Sequence, residues 1–126
     1  MKQALIALAI ASAFVGVSAS AMTKDEYKAQ KSQIEATAKT DKAACKDMKD
    51  NAKDICMSEA KGKEKVAKAE LEAQYKPDPK QDKKVANAKA DAAYDTAKEK
   101  CDDMKGDAKS ACVKDAKAAH DAAKAG

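Results

Sequence analysis

Four cysteines hold the reactive chemistry of this sequence, and they fall into two pairs at one spacing, Cys45 with Cys56 and Cys101 with Cys112. Ten residues separate the members of each pair. Structural zinc sites bring thiolates together at intervals of roughly two to four residues, so this spacing speaks against a metal site. A dithiol redox centre usually carries C-x-x-C, or a thiolate beside a positive group. Cys45 has Lys42, Lys46 and Lys49 near it in sequence, but lysine is so frequent here that most positions share that setting. A structural disulfide within each pair is the favoured reading, with a labile, redox-sensing disulfide as the alternative.

Few other residues could do chemistry. His120 is the only histidine, has no second histidine or cysteine at ligand spacing, and is expected on the solvent-exposed surface of a helix. The carboxylates, Asp102 and Asp103 included, are interspersed with lysines, which suits solvated charge better than an acid–base pair or a calcium loop. No phosphate-cradling glycine loop and no G-x-S-x-G elbow occurs. The expectation is a protein that is not an enzyme, with no catalytic, cofactor-binding or metal-binding residues.

The cysteine pairs lie inside a repeat. C-K-D-M-K-D-N-A-K-D-I-C from Cys45 to Cys56 returns as C-D-D-M-K-G-D-A-K-S-A-C from Cys101 to Cys112, identical at seven of twelve positions and offset by 56 residues. Each block must sit at a turn. A helix running straight through would carry the two cysteines about 16 Å apart, whereas a disulfide needs Cα atoms within roughly 7 Å. Asp50-Asn51 and Gly106-Asp107 offer the breaks, with Asn51 or Asp107 capping the next helix.

The elements around these turns read as helices. Thr23-Lys24-Asp25-Glu26 forms a capping box. From there Tyr27, Ile34, Ala38, Cys45 and Met48 make a narrow apolar stripe, and Glu35 with Lys39 makes an i,i+4 pair. A second helix is expected from Ala52 to Tyr75, with Ile55, Cys56, Ala60, Val66, Ala67 and Leu71 inward and Glu59/Lys63, Glu64/Lys68 and Glu72/Lys76 outward. Placing Cys45 opposite Cys56 sets an antiparallel register that brings Ile34 to Val66 and Ala67, and Tyr27 to Gln74 and Tyr75. Pro77 and Pro79 then stop the chain, with Asp78 as a new cap, Pro79 at the first helical position and Gln81 closing a second capping box. A third helix to about Lys105 and a fourth from Ala108 to about Lys124 come next, with Ala97 opposite Ala116, Tyr94 opposite Ala119 and Ala90 opposite Ala123.

The expected fold is therefore all-α, two tandem antiparallel αα-hairpins over residues 22–76 and 80–126, each clamped by a disulfide near its turn and joined by a proline-containing linker at 77–79. The hairpins either pack as a four-helix bundle or swing about that linker. Before them, one lysine, an apolar run from Ala4 to Val17 and the small residues Ala19-Ser20-Ala21 read as a signal peptide over residues 1–21. The mature chain is then expected to be exported, periplasmic or secreted, without a membrane span. Disulfides persist in such compartments.

Composition narrows the partners. All 25 basic residues are lysine, so the bidentate arginine contacts that read guanine are missing and no specific nucleic acid is expected. Beyond the leader the large aliphatics are only Ile34, Ile55, Val66, Leu71, Val85 and Val113, and the aromatics are three tyrosines. Such a core is marginal, and the disulfides are expected to decide whether the chain folds stably. Three binding roles remain. One is an adaptor or envelope-associated protein whose charged faces meet another protein or an anionic envelope polymer. The second is a stress holdase using Met48, Met57 and Met104 with the tyrosines as an adaptable apolar strip. A membrane-active amphipathic helix ranks last, because the apolar face is small and alanine-rich.

The leader, the opening M-T-K-D-E-Y-K-A, the run A-K-G-K-E-K-V-A-K-A-E-L-E-A-Q-Y-K-P and the block A-K-E-K-C-D-D-M-K-G-D-A-K resemble small exported proteins of Gram-negative bacteria, some labelled TolA-like or cell-envelope-biogenesis proteins. The resemblance covers nearly the whole mature chain. Its most specific part is the paired cysteine spacing. Unlike TolA, the sequence shows no evident anchor or globular end domain. The resemblance implies a periplasmic location and assigns no site residues.

Overall fold

The computed structural model describes residues 21–125, so the expected leader lies outside the described residues except for Ala21. These residues form four α-helices and no strand: α1 (Lys24–Cys45), α2 (Asp50–Tyr75), α3 (Pro79–Cys101) and α4 (Gly106–Ala125).

The starts of α1 and α3 arise from their caps. The Thr23 hydroxyl accepts from the Glu26 amide at 3.2 Å while the Glu26 carboxylate accepts from the Thr23 amide at 2.7 Å. That reciprocal bond holds Glu26 below its ordinary pKa. Asp78 caps α3 by accepting from the Lys80 amide at 2.8 Å, with Pro79 at the first helical position. Gln81 does not close a second box. Only its backbone amide reaches Asp78, and its side-chain Oε1 is buried without a partner.

The turns differ from expectation in one consistent way. α1 and α3 end at Cys45 and Cys101, four or five residues before the expected breaks, and Met48 lies in a loop rather than on the α1 stripe. The reason is the clamp: pairing with a cysteine only eleven residues on leaves no room for the first helix to continue. Gly106, expected to finish the third helix, instead opens α4 in the left-handed region at φ 59°, and Asp50 does the same for α2 at φ 54°. Glycine takes that conformation without steric cost. Asn51 therefore sits inside α2 and caps nothing there. Its amide donates at 2.6 Å to the Glu99 carbonyl near the end of α3.

Within each hairpin the register obeys the cysteines. Tyr27 stacks on Tyr75 with ring centroids 4.5 Å apart at the open end of the first hairpin. Glu64 pairs with Lys68 as expected, but Glu35 reaches across to Lys68 at 3.3 Å instead of pairing with Lys39. In the second hairpin Ala90, Ala97, Ala116, Ala119 and Ala123 line one small hollow with Tyr94 and His120, which is the alanine seam expected from the register.

The two hairpins pack on each other through α2 and α3, and this interface is more extensive than the seam inside either hairpin. Small residues make it possible. A Cβ on Gly62 would stand 2.9 Å from the Cβ of Ala92, and Ser58 meets Thr96 with hydroxyl oxygens 3.3 Å apart. Among the described residues only successive helices touch, so the bundle is open and α1 does not reach α4. Its core is thin: Ala38, Cys45, Ala60, Leu71, Ala88, Ala90 and Cys101 are the buried apolar residues, and α4 contributes none.

Candidate functional site

The clamped end of the molecule is built from the repeated block. Cys45 and Cys101, the last residues of α1 and α3, are 1% and 0% exposed. They are bonded to half-buried Cys56 and Cys112, about two turns into α2 and α4, with Cα separations of 5.6 and 5.7 Å. In each loop the methionine amide donates to the cysteine carbonyl, Met48 to Cys45 at 3.1 Å and Met104 to Cys101 at 3.0 Å. Each methionine is thus held by its own clamp with the side chain outward. Met48 and Met104, 46% and 44% exposed, are the large hydrophobic residues left on the described surface. Because the hairpins run in the same sense and Asn51 ties the start of α2 to the end of α3, both loops lie at one end of the molecule.

A second cluster joins α2, α3 and α4, and sequence reasoning missed it. His120 is not on open surface: its side chain is 16% exposed, its ring packs on Tyr94 at 4.8 Å, and its Nε2 lies 2.6 Å from Asp91 Oδ1. The ionised Asp91 carboxylate can only accept, so Nε2–H is the donor of this bond. Lys124 Nζ at 3.2 Å and Lys65 Nζ at 3.4 Å complete the shell around the Asp91 carboxylate. The His120 bond above all, then Lys124 and Lys65, hold Asp91 down to about 2 from its ordinary 3.8. A carboxylate so stabilised is a poor base, and the groups touching it include no hydroxyl or thiol nucleophile. The cluster reads as a tie across three helices. The register signal was present, since it places His120 opposite residue 93, between Asp91 and Tyr94 in reach.

A comparable tie joins the first hairpin. The Glu64 carboxylate accepts from Lys42 and Lys68, with the Lys42 bond the larger cause, and is held down to about 2 from 4.5. Lys68 is raised in turn, chiefly by Glu64.

The apolar strip expected of a holdase is not assembled. Met48 and Met104 occupy the clamped end, Met57 is half-buried beside Asp95 and Lys98, and Tyr27 and Tyr75 stack on each other at the far end. Among the described residues no group of three or more His, Cys, Asp or Glu is placed to hold a metal ion, and no helix is long and apolar enough to cross a membrane. The two disulfides fit an oxidising compartment outside the cytoplasm. Comparison with protein-family models, with curated proteins and with solved structures finds no match.

Proposed function

We propose that this chain is a non-enzymatic helical interaction protein of the periplasm, an adaptor or envelope-associated protein that meets its partner with the disulfide-clamped end. One observation carries the reading: the two exposed large hydrophobic side chains occupy the same position in both copies of the loop. The clamp does not need them, since the methionine contributes only its backbone amide to the turn. An exposed, adaptable apolar side chain presented twice on a rigid base suits a partner protein with apolar pockets. Lysines and carboxylates beside each methionine, from Lys46 to Asp50 and from Asp102 to Lys105, would form the polar rim.

The disulfides act here as structural staples: each joins the end of one helix to the second turn of the next, and with Cys45 and Cys101 buried an attacking thiolate is left only the half-buried sulfurs of Cys56 and Cys112. The holdase reading is weaker for want of a continuous apolar strip. Affinity capture from periplasmic extract tests the proposal, using the native chain, a Met48→Lys/Met104→Lys variant and a reduced, alkylated control. A specific partner should be retained by the native chain and lost by the other two. Equal capture by all three sinks the clamped end as the contact, and suppression of client aggregation in a light-scattering assay would favour the holdase.

A further inference from the structure

The α2–α3 interface leaves a groove on one side of the open bundle, about 750 Å³, floored by Gly62, Val66, Ala67, Ala92, Ala93 and Ala97. An apolar helix face normally buries itself against a second layer. Among the described residues none covers it, because α1 packs on α2, α4 packs on α3, and α1 and α4 do not touch each other.

The charges on the groove walls say what can cover it. The α2 wall carries Glu59 and Glu70, the α3 wall Lys89 and Lys100, and both pairs are eleven residues apart, about 16 Å along a helix. Glu70 bonds to Lys89 at 2.8 Å across the groove. The same antiparallel register sets Glu59 across from Lys100, a second pair of opposite charges on the groove walls. We infer that the groove is a dimer interface that receives a second copy of this chain, related by a two-fold axis parallel to the helices.

The orientation is dictated by charge. A two-fold axis along the helices lays the α2 of one copy over the α3 of the other at the same height. Glu59 then meets Lys100, Glu70 meets Lys89, and Lys63 falls over Thr96 without a clash of charge. The axis across the helices would instead lay Glu59 over Glu70 and Lys89 over Lys100, which like-charge repulsion opposes. Self-complementarity of this kind is what an isologous interface requires. The area suffices. Two helices about 35 Å long and together about 20 Å wide offer roughly 700 Å² per copy, or about 1,400 Å² in total, within the range of stable interfaces. The inference stands on the groove alone and is independent of the adaptor reading.

Sedimentation velocity across the micromolar to millimolar range tests it with two charge variants. Glu59→Lys/Glu70→Lys makes both walls basic, and Lys89→Glu/Lys100→Glu makes both acidic. The native chain should dimerise, each variant alone should associate at least about tenfold more weakly, and an equimolar mixture of the two should dimerise again. Circular dichroism of each variant checks that it stays helical. The heterodimer adds a further control, since its formation requires two folded partners. A native chain that stays monomeric overturns the inference, as does a native dimer that both variants preserve. A mixture that stays monomeric overturns it as well.

Discussion

Gly62→Ala sets helix propensity against packing. In an exposed helix interior, alanine is favoured over glycine by about 0.8–1.0 kcal/mol, so propensity alone makes the variant more stable. The structure reverses that sign. The new Cβ would stand 2.9 Å from the Cβ of Ala92 and 3.6 Å from its Cα, whereas carbon atoms settle at about 3.5–4.0 Å. Neither side chain has a torsion that can turn away, so α2 and α3 must move apart. Such overpacking costs typically about 1–3 kcal/mol. The movement also strains the Ser58–Thr96 contact at 3.3 Å and the Asn51–Glu99 bond at 2.6 Å. We expect a net loss of about 1 kcal/mol, a fall in Tm of about 4–8 °C measured by far-ultraviolet circular dichroism. Gly62→Ala/Ala92→Gly returns the missing space at equal total propensity and should recover most of the loss. A single variant more stable than the native chain would falsify the close approach and with it the packing of the two hairpins.

Reducing both disulfides should remove about 3 kcal/mol each in the chain-entropy picture, most of the stability a thin alanine core can supply. Helicity should collapse in reductant, and an unchanged Tm there refutes the staple role. Gly106→Ala meets no atom within 4 Å, so its whole effect is backbone strain at φ 59°, about 1 kcal/mol of destabilisation by thermal melt. Asp50→Gly at the matching position should stabilise, by less, because the charge at the α2 start is lost with the strain. Glu64 and Asp91 are both depressed to about 2, so their contributions are complete above the ordinary 4.5 and 3.8 and vanish as pH falls towards 2. Both groups are reached by solvent, which limits each to about 1 kcal/mol. Glu64→Gln/Asp91→Asn should therefore melt lower at neutral pH and lose less between pH 5 and pH 2 than the native chain. Parallel curves would show that the two ties contribute nothing to stability.

Much of the fold was legible because local rules and the disulfide register point the same way. The Thr23–Glu26 box, the Asp78–Pro79 start and the proline stop each act within a few residues, where sequence and structure are closely coupled. The cysteine register carried that information down both legs of the first hairpin, far enough to bring Tyr27 to Tyr75. The features that were not legible depend on neighbours that the register does not order. Asn51 looked like a cap because caps are local, but it serves a carbonyl on α3. Glu35 had Lys39 within reach and found Lys68. Gln81 had the right spacing for a box but is turned into the structure, unpaired.

The candidate site divides along the same line, and the division bears on function. His120 appeared featureless because its partners, Asp91 on α3 and Lys65 on α2 with it, are gathered only when two helix interfaces exist at once. The legs of the two hairpins have accordingly come to differ: the first is held by Ile34, Leu71 and the tyrosine stack, the second by alanines and the Asp91 tie. The loops have not. They share the clamp, the left-handed residue after it and the outward methionine, although sequence at the left-handed position differs between aspartate and glycine. The turn itself uses only the backbone amide of Met48 and Met104 in its bond to the cysteine carbonyl, and their side chains stand exposed. That is the arrangement the proposed contact would use: two exposed methionines at one end of the molecule, each beside a disulfide that fixes its loop.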